Sequence, residues 1–130
     1  MAMLIAVAGG TSFAGERVAP LAVYAAAAKA ADARFAGFSA ARGKALFFAR
    51  FHSGKAETPS CTTCHTENPR ESGQTRAGKA IDPMAASINP KRYADLDETE
   101  KWFGRNCRNV LGRECTAVEK GDFIAFMLTQ

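Results

Sequence analysis

The chain has 130 residues, 47% of them hydrophobic and 9% aromatic, with a formal net charge of +4. That length is about one domain, and the composition excludes a disordered or collagen-like chain. No basic run is dense enough to argue for nucleic acid. The mild positive charge suits an acidic partner surface or a bound anionic group instead.

Met1–Gly10 is apolar and rich in small residues, and Ser12-Phe13-Ala14 offers small residues at both positions a signal peptidase reads. The expected organisation is therefore a signal peptide over 1–14, which exports the chain to the periplasm, followed by a helical extension over 15–38 and a functional domain over 39–130. The leading apolar stretch is too short to span a bilayer as a helix, so no stable membrane insertion is expected. Pro20, a good first-turn residue, opens a helix that the alanine-rich stretch Ala25–Ala33 carries to about Gly37. Ser39 caps a second helix through about Phe51, with Leu46, Phe47 and Phe51 as its apolar face and Gly43 open to a close backbone approach. Gly54–Ser60 reads as a loop. From Thr66 to Asp95 the chain carries Pro69, Gly73, Gly78, Pro83 and Pro90 and is predicted irregular. A third helix is predicted over Asp97–Leu111, with Asp97, Glu98 and Glu100 in the first turn where the helix dipole favours them. A fourth starts with the capping-box pattern Thr116-Ala117-Val118-Glu119 and runs through Phe123, Ile124, Phe126, Met127 and Leu128. The expected fold class is all-α, four helices and one long loop.

Between the second helix and that loop stands Cys61-Thr62-Thr63-Cys64-His65. Two thiols on one turn of chain reach both vinyl groups at one porphyrin edge, and the adjoining His places an imidazole beneath the iron. C-x-x-C-H thereby encodes attachment and ligation of haem together. Cys61 and Cys64 are the predicted thioether residues of one covalently bound haem c, and His65 is the predicted proximal ligand. A zinc site would need two further Cys or His ligands, and a redox dithiol would need a βαβ setting that this helical chain lacks. Haem c is attached outside the cytoplasm, which agrees with an exported chain. Thirty residues of irregular chain, an oddity in a small domain, fit a segment wrapped round a haem. Cys107 and Cys115 have no histidine nearby and are disulfide candidates in an oxidising compartment.

The other face of the iron has several candidates. Met84, after Pro83, would provide a thioether for a simple electron carrier. His52 reads as a surface or propionate-contacting residue, and Met127 as helix core. On a helical wheel Asn106 falls between Trp102 and Val110, in an apolar stripe that also holds Phe103, Cys107 and Leu111. A buried amide needs a polar partner, either backbone or the iron and what it binds.

With these residues in place, the chain resembles the family of the sphaeroides haem protein and cytochrome c''. The resemblance runs from about Arg42 to Leu128, through Ser60-Cys61-Thr62-Thr63-Cys64-His65, Thr75-Arg76-Ala77-Gly78-Lys79, Asn89-Pro90-Lys91-Arg92-Tyr93, Glu100-Lys101-Trp102-Phe103-Gly104-Arg105-Asn106-Cys107 and Gly112-Arg113-Glu114-Cys115-Thr116. It implies a class I cytochrome c-like fold with an added N-terminal helix and a Cys107–Cys115 disulfide. In the family, the residue before the first disulfide cysteine approaches the iron from the distal side, as Asn or as His. Here that residue is Asn106. One departure is Pro83-Met84-Ala85-Ala86, which stands where the family pattern has Pro-Leu-Ala-Pro. It leaves Met84 as an alternative distal ligand beside the simpler reading of a Leu-for-Met core exchange. The implied function is a periplasmic monohaem cytochrome with a labile Asn106 ligand, able to bind O2, NO or CO when reduced. Its implied redox partner is a dihaem or multihaem cytochrome. The alternative is a simple Met/His-ligated electron carrier. No distal acid–base pair stands out, so an electron-transfer or ligand-binding protein is expected rather than an enzyme.

Overall fold

Helix α1 (Phe13–Ala31) buries Pro20, Tyr24 and Ala28, which recur every four residues along one face, against the C-terminal part of the chain. The structure, a computed structural model, describes residues 13–130 and, within α1, side chains from residue 19 onward. The expected signal segment over 1–14 lies outside the described residues except for Phe13 and Ala14, which open α1. The predicted start at Pro20 and end near Gly37 are both corrected. Pro20 sits inside the helix, and the helix stops at Ala31 because the Asp32 carboxylate takes the Arg34 backbone N–H at 2.9 Å and its Nε at 3.1 Å, turning the chain.

Helix α2 (Ala40–Phe48) starts where Ser39 Oγ accepts the Arg42 N–H, as expected of its cap. It ends three residues before the predicted Phe51. Ala49 is extended, and the Phe51 N–H donates to the Pro59 carbonyl at 2.7 Å, closing the loop that leads to the cysteine motif. Helix α3 (Thr62–His65) is a single turn made by the motif itself. The stretch predicted irregular contains a small antiparallel hairpin, β1 (Gly73–Gln74) with β2 (Ala80–Ile81), Gly73 opposite Ile81. Helix α4 (Leu96–Leu111) is capped by Asp95, which accepts the Glu98 N–H at 2.7 Å, and stops at Gly112 in the left-handed region. Helix α5 (Ala117–Leu128) has the predicted capping box, Thr116 Oγ1 taking the Glu119 N–H and the Glu119 carboxylate taking the Thr116 N–H. Among the described residues there are thus five helices rather than four, and the all-α class holds.

The core is aromatic and centred on α5. Phe123 meets Phe47 of α2 at 6.2 Å, Phe103 of α4 at 5.6 Å and Tyr93 at 6.5 Å between ring centroids, and Tyr24 of α1 reaches Phe103 at 6.2 Å. Such pairs add about 0.5–1.5 kcal/mol each beyond simple burial. Helices α2 and α5 cross at Gly43, where any Cβ would overlap the Asp122 carbonyl. The Asp122 carboxylate, 4% exposed, is fully spoken for: it accepts from the Ser39 N–H at 2.7 Å and from Arg42 Nε and Nη2 at 2.7 and 2.9 Å.

Candidate haem site

Ser60, 2% exposed, anchors the attachment turn. Its hydroxyl donates to the Phe47 carbonyl at 3.3 Å and accepts from the Thr62 N–H and from Thr62 Oγ1, at 3.3 and 3.0 Å. The turn then closes on itself, the His65 N–H reaching the Cys61 carbonyl at 3.1 Å. Cys61 and Cys64 therefore stand on one turn as two unbonded, half-buried thiols, with Cys61 against the core. Burial pushes the Cys61 thiol up to about 11, so it is protonated at neutral pH.

His65 is half-buried, and its Nδ1 is buried with no hydrogen-bond partner among the described residues. Burial, aided by the nearby Arg92 cation, holds its imidazole down at about 4. The ring is neutral at physiological pH and has a lone pair to offer a metal. Gly73 of β1 lies directly on the Cys64 carbonyl and the His65 backbone, a cradle that any side chain would fill. The hairpin thus supports the attachment turn from one side, while Ser60 ties it to α2 on the other.

The remaining predicted residues divide between core and surface. Met84, 9% exposed, belongs to the aromatic core, and its carbonyl accepts from Tyr93 Oη at 2.9 Å. Met127 is fully buried, as expected, and His52 is exposed in the loop after α2. Cys107 and Cys115 are joined, their Cα atoms 5.6 Å apart, tying the end of α4 to the approach to α5. Asn106 corrects the helical-wheel reading of a buried amide. Phe103, Cys107, Val110 and Leu111 face inward, whereas Trp102, 43% exposed, and Asn106, one turn on, lie on the exposed side. The Asn106 amide has no hydrogen-bond partner among the described residues.

This donor set fits haem. Among the described residues no group of three or more His, Cys, Asp and Glu side chains is placed to hold a metal ion directly. Two free thiols on one turn, followed by a neutral imidazole with an orphaned ring nitrogen, are the kinds of group that could attach and ligate haem c.

Residues 33–127 match a family described as a domain of unknown function, DUF1924. Over 131 aligned residues the chain is 46% identical to the cytochrome c-type protein SHP of Cereibacter sphaeroides, covering 98% of this chain and 96% of the relative. The chain belongs to the DUF1924 family of c-type cytochromes. This family member is also 38% identical to cytochrome c'' of Methylophilus methylotrophus over 89 residues, 68% of this chain and 62% of the relative. Its fold superposes on oxidised SHP, described as an oxygen-binding cytochrome c, with a TM-score of 0.80 at 46% identity, covering 88% of this chain and 96% of the other. Oxidised cytochrome c'' follows with a TM-score of 0.78 at 32% identity, covering 89% and 95%. The fold, the disulfide and the cofactor, haem c, are those the sequence resemblance implied. Among the described residues no helix is long and apolar enough to cross a membrane.

Three supporting positions of this DUF1924 cytochrome escaped sequence reading: Ser60, Gly73 and Arg92. Ser60 and Arg92 both lie inside the runs that carry the family resemblance. A small hydroxyl residue directly before the first cysteine was the available signal for Ser60. Gly73 offered only a glycine in a loop rich in them.

Proposed function

We propose that this cytochrome is a periplasmic monohaem protein that takes up electrons and binds a small diatomic ligand, O2, NO or CO, when reduced. Cys61 and Cys64 hold the haem by thioethers, His65 is its proximal ligand, and Asn106 is a labile distal ligand. The observation that carries the reading is the Asn106 amide: exposed, without a hydrogen-bond partner among the described residues, and set beside the Cys107–Cys115 bridge at the end of α4. When bound, the haem supplies the one-electron couple and the open coordination position.

The side chains supply the rest. An amide oxygen is a neutral, weak donor, so Asn106 would hold ferric iron weakly and be released on reduction. The released side chain keeps two N–H donors for hydrogen bonding to the incoming diatomic. Met84 is set in the core with its neighbours pinned, which favours packing over ligation. The description of SHP as an oxygen-binding cytochrome supports the ligand class. A net charge of +4 suits docking to an acidic redox partner, a dihaem or multihaem cytochrome. Export to the periplasm follows from the chemistry of attachment and from the disulfide.

Ferric and ferrous spectra of wild type, Asn106→Ala and Met84→Leu, with and without CO, test this reading. Wild type is expected to change under CO only when reduced, Asn106→Ala to lose the ferric distal ligand, and Met84→Leu to match wild type. A ferrous wild type that stays six-coordinate low-spin and ignores CO overturns it. So does a thioether charge-transfer band that Met84→Leu abolishes.

A further inference from the structure

The outer face of α4 carries an aromatic ring between two cations. Trp102, the chain's one tryptophan, is 43% exposed. Lys101 Nζ stands 5.5 Å, and the Arg105 guanidinium carbon 5.9 Å, from the centroid of its ring. Both cations are exposed, and among the described residues neither has a carboxylate partner. The attraction of each cation for the π face favours an indole held between them at the surface.

The acidic residues of α4 lie elsewhere. Asp97 and Glu98 are in its first turn, and the Glu100 carboxylate accepts from Lys120 Nζ of α5 at 2.8 Å and from Tyr24 Oη of α1 at 2.6 Å. Lys101, Arg105 and Arg108 recur every three or four residues, a stripe turned away from the buried Cys107 and Val110. Arg108 is engaged by Glu114 at 3.1 Å, which leaves the two cations beside Trp102 available. Tryptophan and arginine carry much of the binding energy at protein interfaces, with an apolar centre and a polar rim. A ring already held in place also loses little freedom when a partner covers it.

We infer that this face of α4 is the docking surface for an acidic redox protein, whose carboxylates pair with Lys101 and Arg105 while its apolar surface covers Trp102. The inference rests on the electron uptake proposed above and names the surface that receives the donor. In the step itself one electron passes from the partner's reduced centre to Fe(III). The partner is left oxidised by one electron and the haem as Fe(II), and no bond forms or breaks.

Stopped-flow reduction of the ferric holo-protein by a reduced plant-type [2Fe–2S] ferredoxin, an acidic one-electron donor, tests it. At low salt Lys101→Glu/Arg105→Glu is expected to lower the second-order rate constant about tenfold or more. At high salt the gap should close to about twofold, because the charges are then screened. Lys29→Glu/Lys44→Glu makes the same change in net charge at exposed positions on α1 and α2, and should cost less than about threefold. Trp102→Ala should slow the reaction about fivefold at both salt concentrations, since apolar contact is not screened. Equal losses in the two charge-reversal variants overturn the inference, because net charge alone would then explain them. So does a Trp102→Ala protein that is reduced as fast as wild type, or a variant whose midpoint potential at an electrode moves along with its rate. Phosphatidylglycerol vesicles that bind wild type but not Lys101→Glu/Arg105→Glu would assign the face to a lipid surface and overturn it too. A wild-type haem that takes no electron from the electrode fails at the earlier step, electron uptake itself.

Discussion

Replacing Cys107 and Cys115 together by alanine separates stability from ligand chemistry at the end of α4. The bridge joins positions eight apart, so the loop it closes in the unfolded chain is short. Chain-entropy reasoning assigns such a loop about 2.6 kcal/mol. With an unfolding entropy of roughly 2.1 cal/mol/K per residue, that loss lowers the melting temperature of a chain this size by about 10 °C. Alanine is the better replacement at Cys107, because the position is buried and a serine hydroxyl would need a partner there.

The folded geometry of the helix end should survive the change. Ser53 Oγ donates to the Leu111 carbonyl at 2.5 Å, and the Lys55 N–H and Thr58 Oγ1 donate to the Asn109 carbonyl at 2.7 and 3.2 Å. Gly54 lies against the Asn109 and Val110 carbonyls, and Gly112 against the Ser53 carbonyl, with no room for a side chain at either. Each of these bonds is worth about 1 kcal/mol net, so together they match the bridge. The double variant is therefore expected to melt about 10 °C lower while its ferrous spectrum with CO stays that of wild type. Thermal unfolding followed by circular dichroism gives the first quantity, and the CO difference spectrum the second. A melting point within about 2 °C of wild type would refute the loop-entropy reasoning. A changed CO spectrum would refute the claim that the 53–58 loop suffices to place Asn106.

Two further outcomes follow from the packing. Burial pushes the Glu100 carboxyl up, but hydrogen bonds from Lys120 at 2.8 and 3.0 Å and from Tyr24 at 2.6 Å outweigh it and hold the group below its ordinary 4.5. Its stabilising contribution is complete above that ordinary value and fades as the pH falls through the lower folded one, so melting temperature in Glu100→Gln should decline less steeply than in wild type below about pH 5, and equal slopes would count against the assignment. Gly73→Ala forces the hairpin off the Cys64 carbonyl and should cost about 1–3 kcal/mol in urea unfolding. A Gly73→Ala protein as stable as wild type would show that the hairpin does not bear on the attachment turn.

Legibility tracked local chemistry. Ser39 and the Thr116–Glu119 box announced their helices because a cap is made by side chains within three residues of each other. The Cys107–Cys115 bridge was legible from the absence of a nearby histidine and from the family resemblance. The bounds of α1 were not, since Pro20 is a start signal in isolation and is held inside the helix by its place on the buried stripe with Tyr24 and Ala28. The hairpin was invisible because strands of two residues carry no alternation, and what fixes it is the contact of Gly73 with a turn eight residues away. Arg92 escaped for a related reason: its carbonyl partners lie nine and ten residues upstream, in a segment with no periodicity to align.

Asn106 shows what a helical wheel leaves open. A wheel measures angle around one helix and cannot tell which edge of a wide apolar stripe the neighbouring elements cover. In the fold α5 and α1 take the Phe103 edge, through Phe123 and Tyr24, and Trp102 and Asn106 are left on the other. Asn106 is exposed and has no hydrogen-bond partner among the described residues. The fold thus divides the labour of α4 between its edges. Truncating Phe103 should cost about 3–5 kcal/mol of stability as a core aromatic. Truncating Asn106, which is exposed, should leave the melting temperature in place and appear only in the haem spectrum.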